Sequence, residues 1–409
     1  MLARLPRRLH RPVRAARKVA AEQDARAYLA GGVVRDLLLQ RPVKDLDFVV
    51  EADAARFVRR LADLLGGQVR SHGRFGTATV LLPDGTRLDV AATRRETYDR
   101  PGALPTVTLG ASIEEDLRRR DFTVNAMAIE ITYRARIIDP FGGRSDLSRG
   151  VIRMLHEDSA LDDPTRAFRA VRYAHRLGFR IARPSRKAIR RAIQAKAFDA
   201  VSGDRLRREL ASVLTEENRG AAVRRMHRLG LDAAIEPALV VPSAARRVRT
   251  AEELARHHGA RTSWLCGLLA WMAPAGTGEL HRVTSRLAIS GRERGRIEAW
   301  PRTLRRLAPG LAKRPPSEVS LRMRGLSEDE IVAAAAALPP ADRRALLRHA
   351  GRRVSLAIRG ADLLQAGIPA GEAIGAALAR TLAAREDGRI TRREELSFAV
   401  RAAAEGARE

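Results

Sequence analysis

Asp45 and Asp47, one residue apart in the run Lys44-Asp-Leu-Asp-Phe-Val-Val50, have the residue types and spacing best suited to chemistry in this chain. On a strand, positions i and i+2 point the same way, so both carboxylates would face one spot. Left unpaired, they repel and raise each other's pKa. A divalent cation removes that penalty, and hard oxygen ligands suit Mg²⁺. Just upstream, Gly31 and Gly32 close the apolar run Tyr28-Leu-Ala30 and open Val33-Val-Arg-Asp-Leu-Leu-Leu39, which reads as a helix. Adjacent glycines turn the backbone tightly and let a ligand approach main-chain N–H groups. The helix start behind them is a natural seat for phosphate. Alone, a glycine pair is most often a turn, and Asp-x-Asp often caps a helix or faces solvent. In this order and this close, the two patterns fall at adjacent strand ends of one small sheet. A phosphate cradle beside a metal dyad is equipment for moving a nucleotide.

Three further constellations lie downstream. Asp89, in Thr86-Arg-Leu-Asp-Val90, sits on an expected neighbour of the Asp45/Asp47 strand. There it either completes a metal-and-base triad, accepting a proton from an attacking hydroxyl, or simply pairs with a local Arg. In Arg118-Arg-Arg-Asp-Phe-Thr-Val-Asn-Ala-Met127, Asp121 or Thr123 would cap a short helical turn. Arg120 would reach a triphosphate or ribose, and Asn125 offers both a donor and an acceptor. Asp162-Asp-Pro-Thr-Arg166 opens a helix with Pro in its first turn. Along that helix Arg166, Arg169, Arg172 and Arg176 fall within about 120° of arc, so an Arg stripe looks outward to solvent or to nucleotide. Asp163 supplies acceptors and Arg166 a rigid donor fork, together able to read the edge of a base.

The elements that must position these groups follow from periodicity. Segments 69–82, 86–91 and 126–131 read as strands, with Pro83-Asp-Gly85 as a hairpin turn. Segment 53–65 reads as a helix capped by Asp53. From about residue 155 helical periodicity takes over, with helices at 331–337, 346–357 and 373–384 and connections at 237–242, 301–315 and 339–340. The basic N-terminus lacks the apolar core of a signal peptide. It reads as a transit peptide, a basic arm, or a loose start before a helix at about 15–27. No segment has the roughly 18 apolar residues needed to span a membrane.

Composition narrows the partner. Lys and Arg number 76 against 48 Asp and Glu in 409 residues, a formal charge of +28. Only five of those cations are Lys, so genome bias explains Arg instead of Lys but not the surplus itself. A surplus this large favours a polyanion. Aromatics at 4% argue for backbone and shape recognition over base stacking. The single Cys266 excludes an intrachain disulfide and fits a reducing cytoplasm.

Taken in order, these motifs resemble class II tRNA nucleotidyltransferases (CCA-adding enzymes), of the superfamily that includes bacterial poly(A) polymerases. The resemblance rests on Gly31-Gly-Val-Val-Arg-Asp with Asp45-Leu-Asp47, Arg119-Arg-Asp-Phe-Thr-Val-Asn-Ala-Met127, Asp139-Pro-Phe-Gly-Gly143, Asp162-Asp-Pro-Thr-Arg-Ala-Phe-Arg-Ala-Val-Arg172 and Ser202-Gly-Asp-Arg-Leu-Arg-Arg-Glu-Leu210. It implies an α+β fold: a small polymerase-β-like α/β head followed by an elongated all-α neck, body and tail. The divisions expected are a basic segment 1–27, a head 28–155, a base-recognising neck 156–220 and a tRNA-binding body and tail 221–409. It further implies that Asp45 and Asp47 bind Mg²⁺, and that Gly31, Gly32, Arg35 and Arg120 meet the phosphates. Asp163 and Arg166 would select CTP or ATP in place of a template strand, supported by Arg169 and Arg172.

The family's Glu-Asp-x-x-Arg is here Asp162-Asp163-Pro-Thr-Arg166, a change that touches helix capping more than base reading. Segment 359–375 resembles the tail of tRNA-terminal enzymes, and His257-His258 reads as structural. The expected partners are the tRNA acceptor arm, CTP and ATP, without a membrane. Poly(A) synthesis, CC-only or A-only addition, and a non-catalytic RNA-binding protein are the alternatives; intact Asp45 and Asp47 argue against the last. The loop between Arg95 and Glu115 is the expected place for a switch between nucleotides.

Overall fold

The computed structural model describes residues 2–72, 76–132, 134–308, 310–350 and 354–406. The strands are β1 (Arg26–Ala30), β2 (Leu46–Glu51), β3 (Gln68–His72), β4 (Thr77–Leu81), β5 (Arg87–Ala92), β6 (Arg94–Thr97), β7 (Thr106–Leu109), β8 (Ala128–Glu130), β9 (Ile137–Ile138), β10 (Val151–Ile152) and β11 (Arg180–Ile181). Seven of them form one sheet in the order β3-β4-β5-β2-β1-β8-β9. Every pairing in that sheet is antiparallel except β2 with β5, which run parallel. A parallel pair needs a crossover. Here α3 (Ala54–Leu65) and the β3–β4 hairpin supply it, and α3 packs back on β3, β4 and β5.

Local chemistry explains these choices. Asp53 caps α3, its Oδ1 accepting from the N–H groups of Ala55 (2.8 Å) and Arg56 (3.3 Å). Phe57, Val58 and Leu61 on one face of α3 are fully buried. The Pro83-Asp84-Gly85 turn joins β4 to β5, with Gly85 at φ +80° and Asp84 accepting from the N–H of Thr86.

Several elements differ from expectation. The first helix, α1, spans Arg7–Glu22 instead of beginning near residue 15, and β1 already starts at Arg26. Leu9, Val13, Ala16 and Val19 repeat at helical spacing and are buried, so the amphipathic pattern outweighs the density of basic residues around it. Segment 69–82 is two strands, and its residues 73–75 lie outside the described ones. The helix expected at 346–357 is Pro340–Ala350; residues 351–353 lie outside the described ones, and 354–359 are not helical. Pro301, expected in a connection, sits inside the helix Gly291–Leu307. Its neighbour Trp300 is fully buried and donates Nε1–H to the Leu269 carbonyl at 3.0 Å, so packing overrides the helix-breaking preference.

The described chain forms two compact units, Met1–Val213 with Arg225–Pro237, and Leu214–Arg224 with Ala238–Glu409. The first holds the sheet, α1 to α3, and the helices α4 (Ile113–Arg118), α5 (Gly143–Ser148), α6 (Ser159–Asp162), α7 (Thr165–Leu177), α8 (Arg183–Gln194) and α9 (Gly203–Leu214) up to its last residue. It also includes α2 (Gly32–Leu38) and the C-terminal end of α10 (Arg219–Leu229). Among its described residues the second unit is helical throughout. Its core includes Trp271, whose Nε1–H donates to the Leu239 carbonyl at 2.9 Å.

Candidate active site

Parallel pairing sets Asp47 on β2 opposite Asp89 on β5, so the two carboxylates leave the same face of neighbouring strands. Asp45 stands one residue ahead of β2. Asp89 is held from two sides: Thr79 Oγ1 donates to its Oδ1 at 2.6 Å and Arg87 Nε at 3.0 Å. The pairing with a local Arg is therefore present, and Asp89 stands in register with Asp47. Although the Asp47 side chain opens to solvent, crowding of its carboxyl by neighbouring atoms raises its pKa. The Asp89 and Asp45 charges add to that rise, while Arg120 and Arg87 oppose it. Among the described residues no three His, Cys, Asp or Glu side chains form a ready metal cage. Asp47 on β2 and Asp45 just ahead of it still offer the two carboxylates that suit Mg²⁺, which keeps waters and takes the rest of its shell from substrate oxygens.

Beside the dyad, Gly31 ends β1 at φ +77° and donates its N–H to the Met127 carbonyl at 3.0 Å. A Cβ built on Gly31 would lie 2.5 Å from Arg120 Nη1, so the missing side chain is what lets the guanidinium cross the backbone there. Asp116, fully buried, positions that guanidinium: its Oδ2 accepts from Arg120 Nη2 (3.1 Å) and its Oδ1 from Arg119 Nη2 (2.7 Å). Burial pushes the Asp116 carboxyl up, but Arg120 and Arg119 outweigh it and hold it below the usual range. Arg120 Nε is buried without a hydrogen-bond partner, an unsatisfied donor at the glycine turn.

Arg35 lies inside the protein instead of reaching outward. It pairs with Asp36 (2.9 Å), donates to Asn125 Oδ1 (2.7 Å) and lies over the Tyr173 ring at 5.2 Å. Asn125 Nδ2 donates to Asp121 Oδ1 at 3.0 Å, and Asp121 Oδ2 accepts from Arg169 Nε at 2.8 Å. Arg169 also lies over Tyr173, at 5.5 Å. Burial lowers the Arg169 pKa, yet the Asp121, Tyr173 and Glu209 charges and the Asp121 hydrogen bond together outweigh it and raise it. Arg35, Asn125 and Arg169 thus belong to one network tying the glycine-turn helix to α7.

The Arg stripe of α7 is graded, not uniformly outward. Arg166 is buried: Nη1 donates to Ser159 Oγ (3.2 Å), and Nη2 to the Arg119 carbonyl (2.8 Å). Arg169 and Arg172 are half-buried, and Arg176 is exposed. Arg172 Nη1 approaches Glu209 of α9 at 3.5 Å, so it braces two helices. Asp163 Oδ1 accepts from Thr165 N (3.0 Å) and Oγ1 (2.6 Å), which supplies the capping that the change at Asp162 put in question. The same oxygen accepts from Arg205 Nη2 at 2.9 Å, while Arg205 Nη1 donates to the Gly102 carbonyl at 3.3 Å. Asp116 and Tyr173 have no pattern in the sequence that marks them, and Arg205 lies in the Ser202–Leu210 motif without a role read for it; only the fold brings the three to the site.

With this geometry in view, comparison with known proteins is informative. Residues 27–153 match a family described as the Poly A polymerase head domain. An A-adding tRNA nucleotidyltransferase of Geobacter sulfurreducens is 35% identical over 98% of this chain, which spans 48% of that protein's length. A CC-adding tRNA nucleotidyltransferase of Deinococcus radiodurans is 32% identical over 84% of this chain and 88% of its own. The solved Thermotoga maritima CCA-adding enzyme complexed with tRNA superposes with a TM-score of 0.81 at 29% identity, over 98% of this chain and 97% of that one.

Proposed function

Because the chain belongs to the tRNA nucleotidyltransferase family, we propose that it adds CCA, or part of it, to tRNA 3′ ends from CTP and ATP without a template. The observation that carries this reading is the register of Asp47 against Asp89, with Arg120 crossing Gly31 beside them. The tRNA 3′-oxygen attacks the α-phosphorus, the bond to the β-phosphate oxygen breaks, and pyrophosphate leaves. Mg²⁺ held by Asp45 and Asp47 would supply Lewis-acid neutralisation of the triphosphate and of the attacking oxygen. Asp89, fixed by Thr79 and Arg87, would accept the hydroxyl proton. Gly32, at the start of α2, and the Arg120 guanidinium beside Gly31 would meet phosphate oxygens, while Arg120 Nε stays buried without a partner.

Base choice falls to Asp163 and Arg166. Both already hold internal partners, so an incoming base must replace those hydrogen bonds with equally good ones. A base that cannot leaves polar groups unpaired, and this is how such a site rejects it. Arg35, Asn125, Arg169 and Arg172 support this arrangement from behind. A cytoplasmic setting belongs to the same proposal; among the described residues no helix is long and apolar enough to cross a membrane.

Terminal A addition alone is the second reading, favoured by the A-adding relative that aligns with nearly the whole chain. The test is a panel of tRNAs ending at the discriminator base, at C or at CC, with a non-tRNA RNA, each given CTP, ATP or both. Full addition to the shortest tRNA is expected. Extension of the CC-ended tRNA only would select A addition, and long A tails on any RNA would overturn the tRNA assignment. Asp47→Ala should lower kcat by about 10³-fold or more, since loss of a metal ligand removes several kcal/mol of transition-state stabilisation, with tRNA binding retained. Surviving activity would overturn the metal assignment.

A further inference from the structure

Helix α8 reads Arg183-Pro-Ser-Arg-Lys-Ala-Ile-Arg-Arg-Ala-Ile-Gln194, five cations in twelve residues with no acid. Open grooves flank it on both sides. One, of about 790 Å³, is lined by Arg183, Lys187, Arg190 and Arg191 with Glu157. The other, of about 630 Å³, is lined by Arg180, Arg186, Arg190, Arg225, His227 and Arg228. All of these residues belong to the first unit. They are not merely a fringe of mobile side chains. Arg186 Nη1 donates to the Ile181 carbonyl (3.1 Å) and Arg225 Nη1 to the Phe179 carbonyl (3.0 Å), which fixes two guanidiniums into the wall of the second groove. Burial, and then the Arg228 charge, hold Arg225 below the usual guanidinium range, a crowding that a bound anion would relieve. Of the acids nearby, Asp158 pairs with Arg191 at 2.9 Å and Asp232 with His227 at 2.6 Å, while Glu157 stands among four cations in the first groove.

The layout selects the ligand. From Arg183 to Arg191 the helix rises about 12 Å, too far for one small anion but suited to consecutive phosphates. No Phe, Tyr or Trp lines either groove, which removes base stacking and leaves recognition to the backbone. A cationic ridge with a trough on each side fits two phosphate strands, one in each trough. The ridge also lies beside α6, whose last residue, Asp162, precedes Asp163: α8 packs on α6, and Arg191 pairs with Asp158 at the start of α6. A strand end at the site and a duplex at the ridge can therefore belong to one RNA.

We propose that α8 and its two flanking grooves form a binding site for the phosphate backbone of double-stranded RNA, separate from the catalytic site. This rests on the tRNA reading above, to which it adds the surface that grips the paired stem.

The test uses exposed residues outside the catalytic machinery, in the combined variant Lys187→Glu, Arg190→Glu and Arg228→Glu. Binding of a blunt RNA hairpin and of a single-stranded RNA of equal length is followed by fluorescence anisotropy between 50 and 200 mM salt, without nucleotide. The variant should bind the hairpin at least about tenfold more weakly, with a salt slope shallower by about two, the loss expected for two to three phosphate contacts. The single strand should be affected less. In extension assays KM for tRNA should rise while KM for CTP and ATP stays put. Arg190→Lys, which keeps the charge, should bind the hairpin as wild type does. Unchanged hairpin affinity and slope in a variant that melts like wild type would overturn the proposal, as would an equal loss for the single strand. A wild-type protein that binds the hairpin through this ridge but extends no RNA would overturn the proposed reaction and leave the ridge standing.

Discussion

Ionising Asp47 is unfavourable in this fold, first because its carboxyl is crowded away from water and then because Asp89 and Asp45 face it. Its pKa in the folded protein is thus raised above that of the unfolded chain. The stability tied to its neutral form is fully present below the ordinary carboxylate pKa of about 3.9 and is lost as pH rises through the folded value. Removing the charge should help where the charge hurts. In metal-free protein, Asp47→Asn should raise Tm at pH 7 by a small amount, under about 3 °C because the side chain is partly screened by solvent, and by nothing near pH 3.5. Mg²⁺ should raise Tm of the wild type at pH 7 more than that of the variant. Thermal melts across that range check both, and an equal response of the two proteins to Mg²⁺ would remove Asp47 from the metal site. Arg166 is a poor probe by comparison. Buried against Ser159 and the Arg119 carbonyl, it would report folding together with base choice.

At the scale of elements, Arg205 on α9 holds Asp163 with one nitrogen and the Gly102 carbonyl with another. Gly102 seats its loop tightly: its N–H donates to the Leu161 carbonyl at 3.1 Å, its φ is +74°, and a Cβ would come within 2.8 Å of the Ala197 carbonyl. The loop and the Asp163 carboxylate therefore share one clamp. A hydrogen bond to a charged group contributes about 1.5–3 kcal/mol, so Arg205→Ala should shift discrimination among CTP, ATP and UTP by about tenfold or more. Gly102→Ala should shift it in the same sense without touching Asp163, with kcat for the preferred nucleotide within about threefold in both. Competition assays with mixed nucleotides measure this; selectivity identical to wild type in both variants would dissolve the link.

This clamp also marks where sequence reading ran out. Asp47 beside Asp89, the Asp53 cap and the turn at Gly85 were legible, because each depends on spacing along one or two strands. The loop of Gly102 and the motif of Arg205 were marked, but not these two residues nor the buried Asp116, since their partners lie far off in sequence. The outward Arg stripe failed at Arg166 for the same reason: a helical wheel shows which side is polar but not what packs against it. Pro301 and the early start of α1 were misjudged because buried Trp300 and the Leu9, Val13 and Ala16 face decided the matter by packing.

Across the whole molecule, the sheet contains one parallel pairing, and it is the one that sets Asp89 against Asp47. Residue 47 cannot meet residue 89 until α3 and the β3–β4 hairpin have formed and folded back, whereas the helices elsewhere close over short stretches of chain. Non-local pairing of this kind is slow relative to helix formation. On dilution from denaturant, far-ultraviolet circular dichroism should therefore recover well before nucleotide incorporation does, by about tenfold or more in rate. Simultaneous recovery would mean that the crossover is not the slow step. The same order holds during synthesis: until β5 has left the ribosome, Asp47 and Asp45 lack Asp89, and the proposed reaction has no acceptor for its proton, however much of the helix has already coiled.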